Sequence, residues 1–182
     1  MLHEQLPCNR EKLGELMLYI AQESEDDPRF GTTKLCKILY YSDFEAYREL
    51  GQPITGASYF KMERGPVPLV MYDVREELES SGVARVVKDD HNPFAPQRLE
   101  VSESRPSYGG NLSPGELRIV DDVIQRLKDD NATSVSDASH REPGWIATPD
   151  NEIIPYETAW VSPGPSSPKM MEFVRSLEIV ED

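Results

Sequence analysis

The segment TTKLCKILYYSDFEAYRELG, residues 32–51, constrains the fold most, because its apolar residues recur at helical spacing along its length. We expect Thr32 or Thr33 to be the N-cap and Gly51 to end the helix. Steps of about 100° per residue place the apolar side chains on one face. That face comprises Cys36, Leu39, Tyr40, Tyr47 and Leu50. Periodic apolar runs of this kind indicate a folded globular domain rather than a disordered chain.

The opposite face of this predicted helix is polar and largely basic. It comprises Lys34, Lys37, Tyr41, Glu45 and Arg48. The simplest interpretation is a solvated helix face on which Glu45 and Arg48 pair at i,i+3 spacing. The alternative is a surface that binds a partner, with Lys37, Tyr41 and Arg48 as candidate contact residues.

Asp43 lies in the middle of the predicted apolar face. A carboxylate in that position costs several kcal/mol unless it is paired or hydrogen-bonded. We therefore expect Asp43 to be buried and bonded either to the segment ERGPVP, residues 63–68, or to His140. The alternative is a catalytic acid, which requires Asp43 and His140 to meet in an open cleft.

The remaining periodic segments predict a mostly α-helical α+β domain with a small antiparallel β element. A first helix starts after Asn9, and a capping box of Ser113 and Glu116 starts a fourth. A short fifth helix is expected after an N-cap at Thr133 or Ser134. The segments VARVVKDD and QRLEVSE alternate and predict an antiparallel hairpin.

The segment RGPVP, residues 64–68, joins a short predicted strand in ASYFKME to a third predicted helix. We expect Pro68 to occupy the first turn of that helix, where its missing N–H costs nothing. Pro66 stiffens the approach, and Gly65 permits a sharp turn. The segment is therefore interpreted as a joint between strand and helix, with Arg64 at its rim.

The chain is strongly acidic, with 33 Asp and Glu residues against 19 Lys and Arg and a formal net charge of -14. Nucleic-acid binding depends on cations that neutralise phosphates, so a nucleic-acid partner is not expected. A basic protein partner fits this charge better, and the alternative is that the acidity only keeps the protein soluble. The two cysteines, Cys8 and Cys36, suggest no disulfide framework, and no apolar run is long enough to span a bilayer. We expect a cytoplasmic protein.

Known catalytic motifs are absent from the sequence. It contains no phosphate-binding glycine loop, no nucleophile elbow and no histidines at metal-ligand spacing. We therefore expect no cofactor, no metal and no enzymatic activity.

Five motifs follow one another in a specific order: KLCKILYYSD, PITGASY, GPVP, SHREPGW and IPYETAW. This series resembles the Panacea domain family, the SocA-like antitoxins formerly described as phage-associated GepA-like proteins. The resemblance covers roughly residues 10–160. Cys36 departs from the family, which often carries Gln there. The positions that match the family motifs are Asp43, Tyr59, Gly65, Pro66, Pro68, His140 and Trp145.

The resemblance implies a compact helical domain that acts as the antitoxin of a bacterial or phage toxin–antitoxin pair. Such a protein neutralises the toxin of a neighbouring gene by binding it, and the candidate toxin contacts here are Lys37, Tyr41, Arg48 and Arg64. At least one branch of the family is an adaptor that delivers the toxin to a cytosolic AAA+ protease, which is the alternative function. A homo-oligomer is also possible.

The last residues differ in character from the rest. We expect residues 1–160 to form the antitoxin-like domain and residues 161–182 to form a Pro/Ser-rich linker with a short amphipathic tail, MMEFVRSLEIVED. That tail is the candidate protease contact, or a toxin contact that folds on binding. A lower-ranked alternative uses the hairpin from Val83 to Val101 as the wing of a DNA-binding module, but Asp89, Asp90 and Glu100 would repel phosphates.

Overall fold

The computed structural model describes residues 7–88, 95–102 and 110–161. The protein is a mostly α-helical α+β fold with two small antiparallel sheets. In chain order its elements are α1 (Arg10–Glu23), α2 (Thr32–Leu50), β1 (Tyr59–Met62), β2 (Gly65–Pro68), α3 (Val70–Ser80), β3 (Ala84–Val87), β4 (Arg98–Val101), α4 (Pro114–Leu127), α5 (Ala132–Ser139), α6 (Pro143–Ala147) and a 3-10 helix (Tyr156–Trp160). The predicted tail spans residues 161–182, of which 162–182 lie outside the described residues, as does the hairpin loop with Asp89 and Asp90, so the division after residue 160 remains a prediction.

Helix α2 lies at the centre of the molecule. It packs against α1, α4, α5, β2 and the 3-10 helix. Because neighbours cover it on several sides, the predicted solvated stripe is wrong at two positions. Lys34 and Lys37 are each only 1% exposed. Residue type alone placed them in solvent, whereas the packing buries both.

The helix caps are partly those predicted. Asn9 caps α1 by accepting from the Lys12 amide at 2.9 Å, and the Ser113–Glu116 capping box starts α4. The expected caps of α2 and α5 are wrong. Helix α2 begins at Thr32 and its N-cap residue is Gly31. The N-cap of α5 is Asn131 rather than Thr133 or Ser134.

Each of these two corrections has a local reason. The hydroxyl of Thr32 donates to the Gln97 carbonyl, at 3.2 Å, instead of capping the helix. The side chain of Asn131 accepts from the amides of Thr133 and Ser134, both at 2.9 Å. Asn is among the best N-cap residues, so α5 starts at Ala132, two or three residues earlier than expected.

Strands β1 and β2 form a tight hairpin in which Met62 pairs with Gly65 and Tyr59 pairs with Pro68. On its other edge, β1 is bridged by the segment around Ile153, whose neighbour Ile154 donates its amide to the Tyr59 carbonyl at 2.8 Å. Pro68 is therefore the last residue of a strand, not the first turn of a helix as predicted, and α3 begins only at Val70.

The two prolines fit this strand because β2 is at the edge of its sheet. Residues two apart in a strand direct their backbone groups to the same side. The carbonyl of Pro66 accepts from the Lys37 amine at 3.3 Å, so that side faces α2 rather than β1. The missing N–H groups of Pro66 and Pro68 therefore remove no bond from the β1–β2 ladder.

The second hairpin, β3–β4, confirms the predicted antiparallel pair, with Ala84 opposite Val101. Strand β4 packs on α1. The guanidinium of Arg98 donates to the carbonyls of Asp27 and Glu25, at 2.9 and 2.8 Å, and so joins the hairpin to the end of α1.

Gly65 is the position of this fold that should tolerate substitution least. Its φ is +97°, and an added Cβ would lie 2.3 Å from Ser139 Oγ and 2.7 Å from Lys37 Nζ. Gly65→Ala should lower the free energy of unfolding by about 3 kcal/mol, from backbone strain plus overpacking. Urea unfolding followed by circular dichroism measures this.

Gly82→Ala is the matched control for that variant. Gly82 also has a positive φ, +70°, but nothing lies within 4 Å of an added Cβ. It should lose only the backbone term, about 1 kcal/mol. Equal losses in the two variants would show that the packing of Gly65 against α2 and α5 contributes nothing.

Candidate functional site

The Asp43 carboxylate is fully buried, as predicted, and is held by the segment that follows α2. It accepts from the Thr55 amide at 2.7 Å, the Thr55 hydroxyl at 2.5 Å and the Tyr59 hydroxyl at 2.7 Å. Burial raises the pKa of Asp43, and these hydrogen bonds partly offset that rise. The arrangement ties α2 to the start of β1.

Aromatic rings enclose this carboxylate. The Tyr59 ring meets those of Tyr40 and Phe44 edge-on, with centroids 5.5 and 5.7 Å apart. Tyr156, from the 3-10 helix, packs on Phe44 with a centroid distance of 4.6 Å and donates its hydroxyl to the Ala57 carbonyl at 2.7 Å. The rings keep water away from Asp43 and leave it no open face.

The expected partners of Asp43 are therefore wrong. Neither ERGPVP nor His140 supplies the bonds described for it; PITGASY, residues 53–59, does. The chain reverses after Gly51, which returns Thr55 and Tyr59 alongside the helix. A catalytic acid formed by Asp43 with His140 in an open cleft has no support in this geometry, because Asp43 is sealed from solvent.

Lys37 is buried between α2, β2 and α5. The bond to the Pro66 carbonyl is long, and the amine lies against Gly65. Burial lowers the pKa of Lys37 to about 8. A side chain with 1% exposure cannot contact a partner directly. Lys37 is thus withdrawn from the candidate toxin contacts.

Lys34 is the second buried cation, and it is fully partnered. Its amine lies 2.6 Å from Asp27 Oδ2 and donates to the carbonyls of Lys128 and Asp130, at 2.8 and 2.9 Å. These carbonyls close the C-terminal end of α4, where a cation is favourable. Lys34 therefore joins α2 to both α4 and the turn after α1.

The motif SHREPGW forms a stacked pair at the end of α5. The rings of His140 and Trp145 are 4.2 Å apart at 22°, and the Lys61 amine lies 4.1 Å from the centroid of the Trp145 ring. Within the described part of the chain, His140 Nε2 and Trp145 Nε1 are buried without a hydrogen-bond partner. Through Lys61, the pair connects β1 to the end of α5 and to α6. Trp160, in contrast, is 60% exposed.

Tyr41 and Arg48, two of the predicted contact residues, lie in a cleft of about 300 Å³. Its walls come from α2, α4, α5, α6 and the 3-10 helix, and Tyr40, Phe44, Leu127, Ala138 and Ala159 supply apolar surface. Glu45 pairs here with Arg126 of α4, not with Arg48 as predicted. The sequence offered no signal for this cleft, because it is assembled from distant segments.

The other candidate contact, Arg64, is exposed in the turn between β1 and β2. Cys36 is buried, and burial raises the pKa of its thiol to about 11, which makes it unreactive at neutral pH. Across the described ranges, no group of three or more metal-ligating side chains occurs. No helix in those same ranges is long and apolar enough to cross a membrane.

Asp43→Asn should lower the free energy of unfolding by about 3 kcal/mol, because an amide group would present N–H donors to the donors of Thr55 and Tyr59. Chemical denaturation at pH 7 measures the loss. Asp122→Asn is the control. Asp122 is exposed and pairs with Arg118 at i,i+4, so its change should stay within about 0.5 kcal/mol. Similar losses for the two variants would contradict a structural role for Asp43.

Lys37→Met should reveal the buried cation through pH dependence. The pKa of Lys37 is about 8 in the folded protein and about 10.4 in an unfolded chain. Between these values the unfolded chain binds more protons, so the contribution of Lys37 to the free energy of unfolding rises with pH. The free energy of unfolding of wild type should therefore rise by about 2 kcal/mol relative to that of Lys37→Met between pH 7 and pH 10, as measured by chemical denaturation at each pH.

Lys34→Met is the comparison for that experiment. It leaves Asp27 buried without its cation, so it should lower the free energy of unfolding by about 3 kcal/mol at pH 7. At the same pH, Lys37→Met should lower the free energy of unfolding only slightly or raise it. If the free energies of unfolding of wild type and Lys37→Met differ by the same amount from pH 7 to pH 10, the lowered pKa of Lys37 is refuted.

Comparison with known proteins identifies the family. A family model described as antitoxin SocA-like, Panacea domain, matches residues 35–146, which is more than half of the 182-residue chain. No curated protein matches the chain, and no solved structure does. The matched range contains Asp43, Gly65, Lys37 and the His140–Trp145 pair. The chain belongs to the SocA-like antitoxin family that carries the Panacea domain.

Proposed function

We propose that this chain is a cytoplasmic antitoxin that neutralises the toxin of a neighbouring gene by binding it directly. The match of residues 35–146 to the SocA-like antitoxin family carries the proposal. The described residues support a binding role rather than a catalytic one, because the buried ionisable groups of Asp43 and Lys37 are closed to substrates.

The distribution of charge supports a basic protein as the partner. The net charge is -14, and several cations are used inside the fold. Lys34 and Lys37 are buried, and Arg98 binds backbone carbonyls at the end of α1. The acidic side chains that remain at the surface would attract a basic toxin and orient it during encounter.

The second hairpin offers little to nucleic acid. Arg85 of β3 pairs with Glu100 of β4 at 2.9 Å, and the guanidinium of Arg98 faces α1. Phosphate binding needs free cations, and these two are occupied. This observation favours protein binding over the winged DNA-binding alternative.

Coexpression tests the proposal. The neighbouring gene expressed alone in a bacterial host should arrest growth, and coexpression with this chain should restore it, because the complex hides the toxin. The two purified proteins should elute together in size-exclusion chromatography. The Asp122→Asn variant should protect as well as wild type.

Two results would contradict the proposal. A neighbouring gene that is harmless by itself would remove the toxin. Protection without co-elution of the two proteins would show that neutralisation does not occur through a stable complex.

A further inference from the structure

The cleft beside Tyr41 has the size and lining of an anchor pocket. Its volume of about 300 Å³ is at the lower limit of small-molecule sites and suits one large side chain. The aromatic rings of Tyr40 and Phe44 and the aliphatic surface of Leu127, Ala138 and Ala159 provide most of the wall. Pockets of this kind accept the buried apolar residue that dominates many protein interfaces.

The rim of the cleft is charged, with an excess of carboxylates. Three acidic residues line it, Glu45, Asp130 and Glu142, and two basic ones, Arg48 and Arg126. The guanidinium of Arg126 lies 5.3 Å from the Tyr41 ring centroid and pairs with Glu45. The protein's own arginine thus shows that this rim binds a guanidinium between an aromatic face and a carboxylate.

An exposed aromatic surface comes from α2 and the 3-10 helix, which are two of the five elements that line the cleft. Tyr47 and Trp160 contact each other with centroids 6.3 Å apart, and Trp160 is 60% exposed. Leu50, 45% exposed, follows on the same helix. Aromatic side chains are enriched in protein interfaces, so this surface extends the cleft into a larger contact area.

We propose that this cleft is the anchor site for a segment of the toxin that inserts one large apolar side chain and carries Lys or Arg on either side of it. The inference rests on the proposed antitoxin function and assigns the surface that performs it. The apolar walls receive the anchor, and Asp130 receives a flanking cation. Tyr41 and Arg48 then act as contact residues at the mouth, in place of the buried Lys37.

Filling the cleft tests the apolar anchor. Ala138 of α5 lines the cleft and is partly exposed, and Leu is a good helix former, so Ala138→Leu should fold normally. Isothermal titration of the purified neighbouring-gene product should show an affinity loss of about tenfold or more. Ala132→Leu, at the exposed start of the same helix, should stay within about twofold.

Charge reversal tests the flanking cations with an adjacent pair of aspartates. Asp130 lines the cleft, whereas Asp129 is exposed and is not among its lining residues. Asp130→Lys should weaken binding about fivefold at 0.1 M salt, and Asp129→Lys less than about twofold. Thermal unfolding of all four variants at the wild-type midpoint confirms that each is folded.

The outcomes separate the two proposals. If wild type does not bind the neighbouring-gene product, the antitoxin proposal fails and this inference fails with it. If wild type binds and Ala138→Leu binds equally well, the antitoxin proposal stands and the anchor site is wrong. If Ala138→Leu leaves toxin binding unchanged but makes residues 162–182 more susceptible to limited proteolysis than they are in wild type, the occupant is the chain's own tail, and the proposed toxin segment is overturned.

Discussion

The carboxylate of Asp43 occupies the centre of the molecule, and the arrangement of the surrounding elements follows from satisfying it. A buried carboxylate is costly unless donors surround it. Thr55 and Tyr59 provide those donors only if the chain reverses after Gly51 and runs back along α2. That reversal places β1, and through it the hairpin with β2 and the bridge to Ile153. One electrostatic requirement therefore orients the whole face of α2 that the aromatic rings cover.

Two buried lysines perform the corresponding task on other sides of α2. Lys34 binds the carboxylate of Asp27 and the last carbonyls of α4, while Lys37 reaches the edge of β2. Lysine side chains ordinarily interact with solvent or a partner, but these two connect elements inside the fold. Tyr41, Arg48 and Trp160 remain accessible at the cleft and its aromatic border, which is the surface that the proposed antitoxin function assigns to the toxin.

Much of the local structure could be predicted from particular residues. Asn9, Gly51 and the Ser113–Glu116 box mark helix ends because they satisfy backbone groups within a few residues. The alternation in VARVVKDD and QRLEVSE predicted β3 and β4 because successive side chains of a strand point to opposite faces. RGPVP was misassigned because proline is compatible with both the first turn of a helix and an edge strand. Only the position of β2 beside β1 and α2 decides between them.

The sequence by itself determined helices α1 to α5, the second hairpin, the burial of Asp43 and the ordered motifs that indicate the antitoxin family, because these depend on spacing and on side-chain chemistry along the chain. The tertiary structure alone decided which donors reach Asp43, that Lys34 and Lys37 are internal, that Trp160 is exposed, and that a cleft exists beside Tyr41. Each of these depends on contacts between residues far apart in the chain, and helical periodicity cannot show which face a neighbouring element will cover.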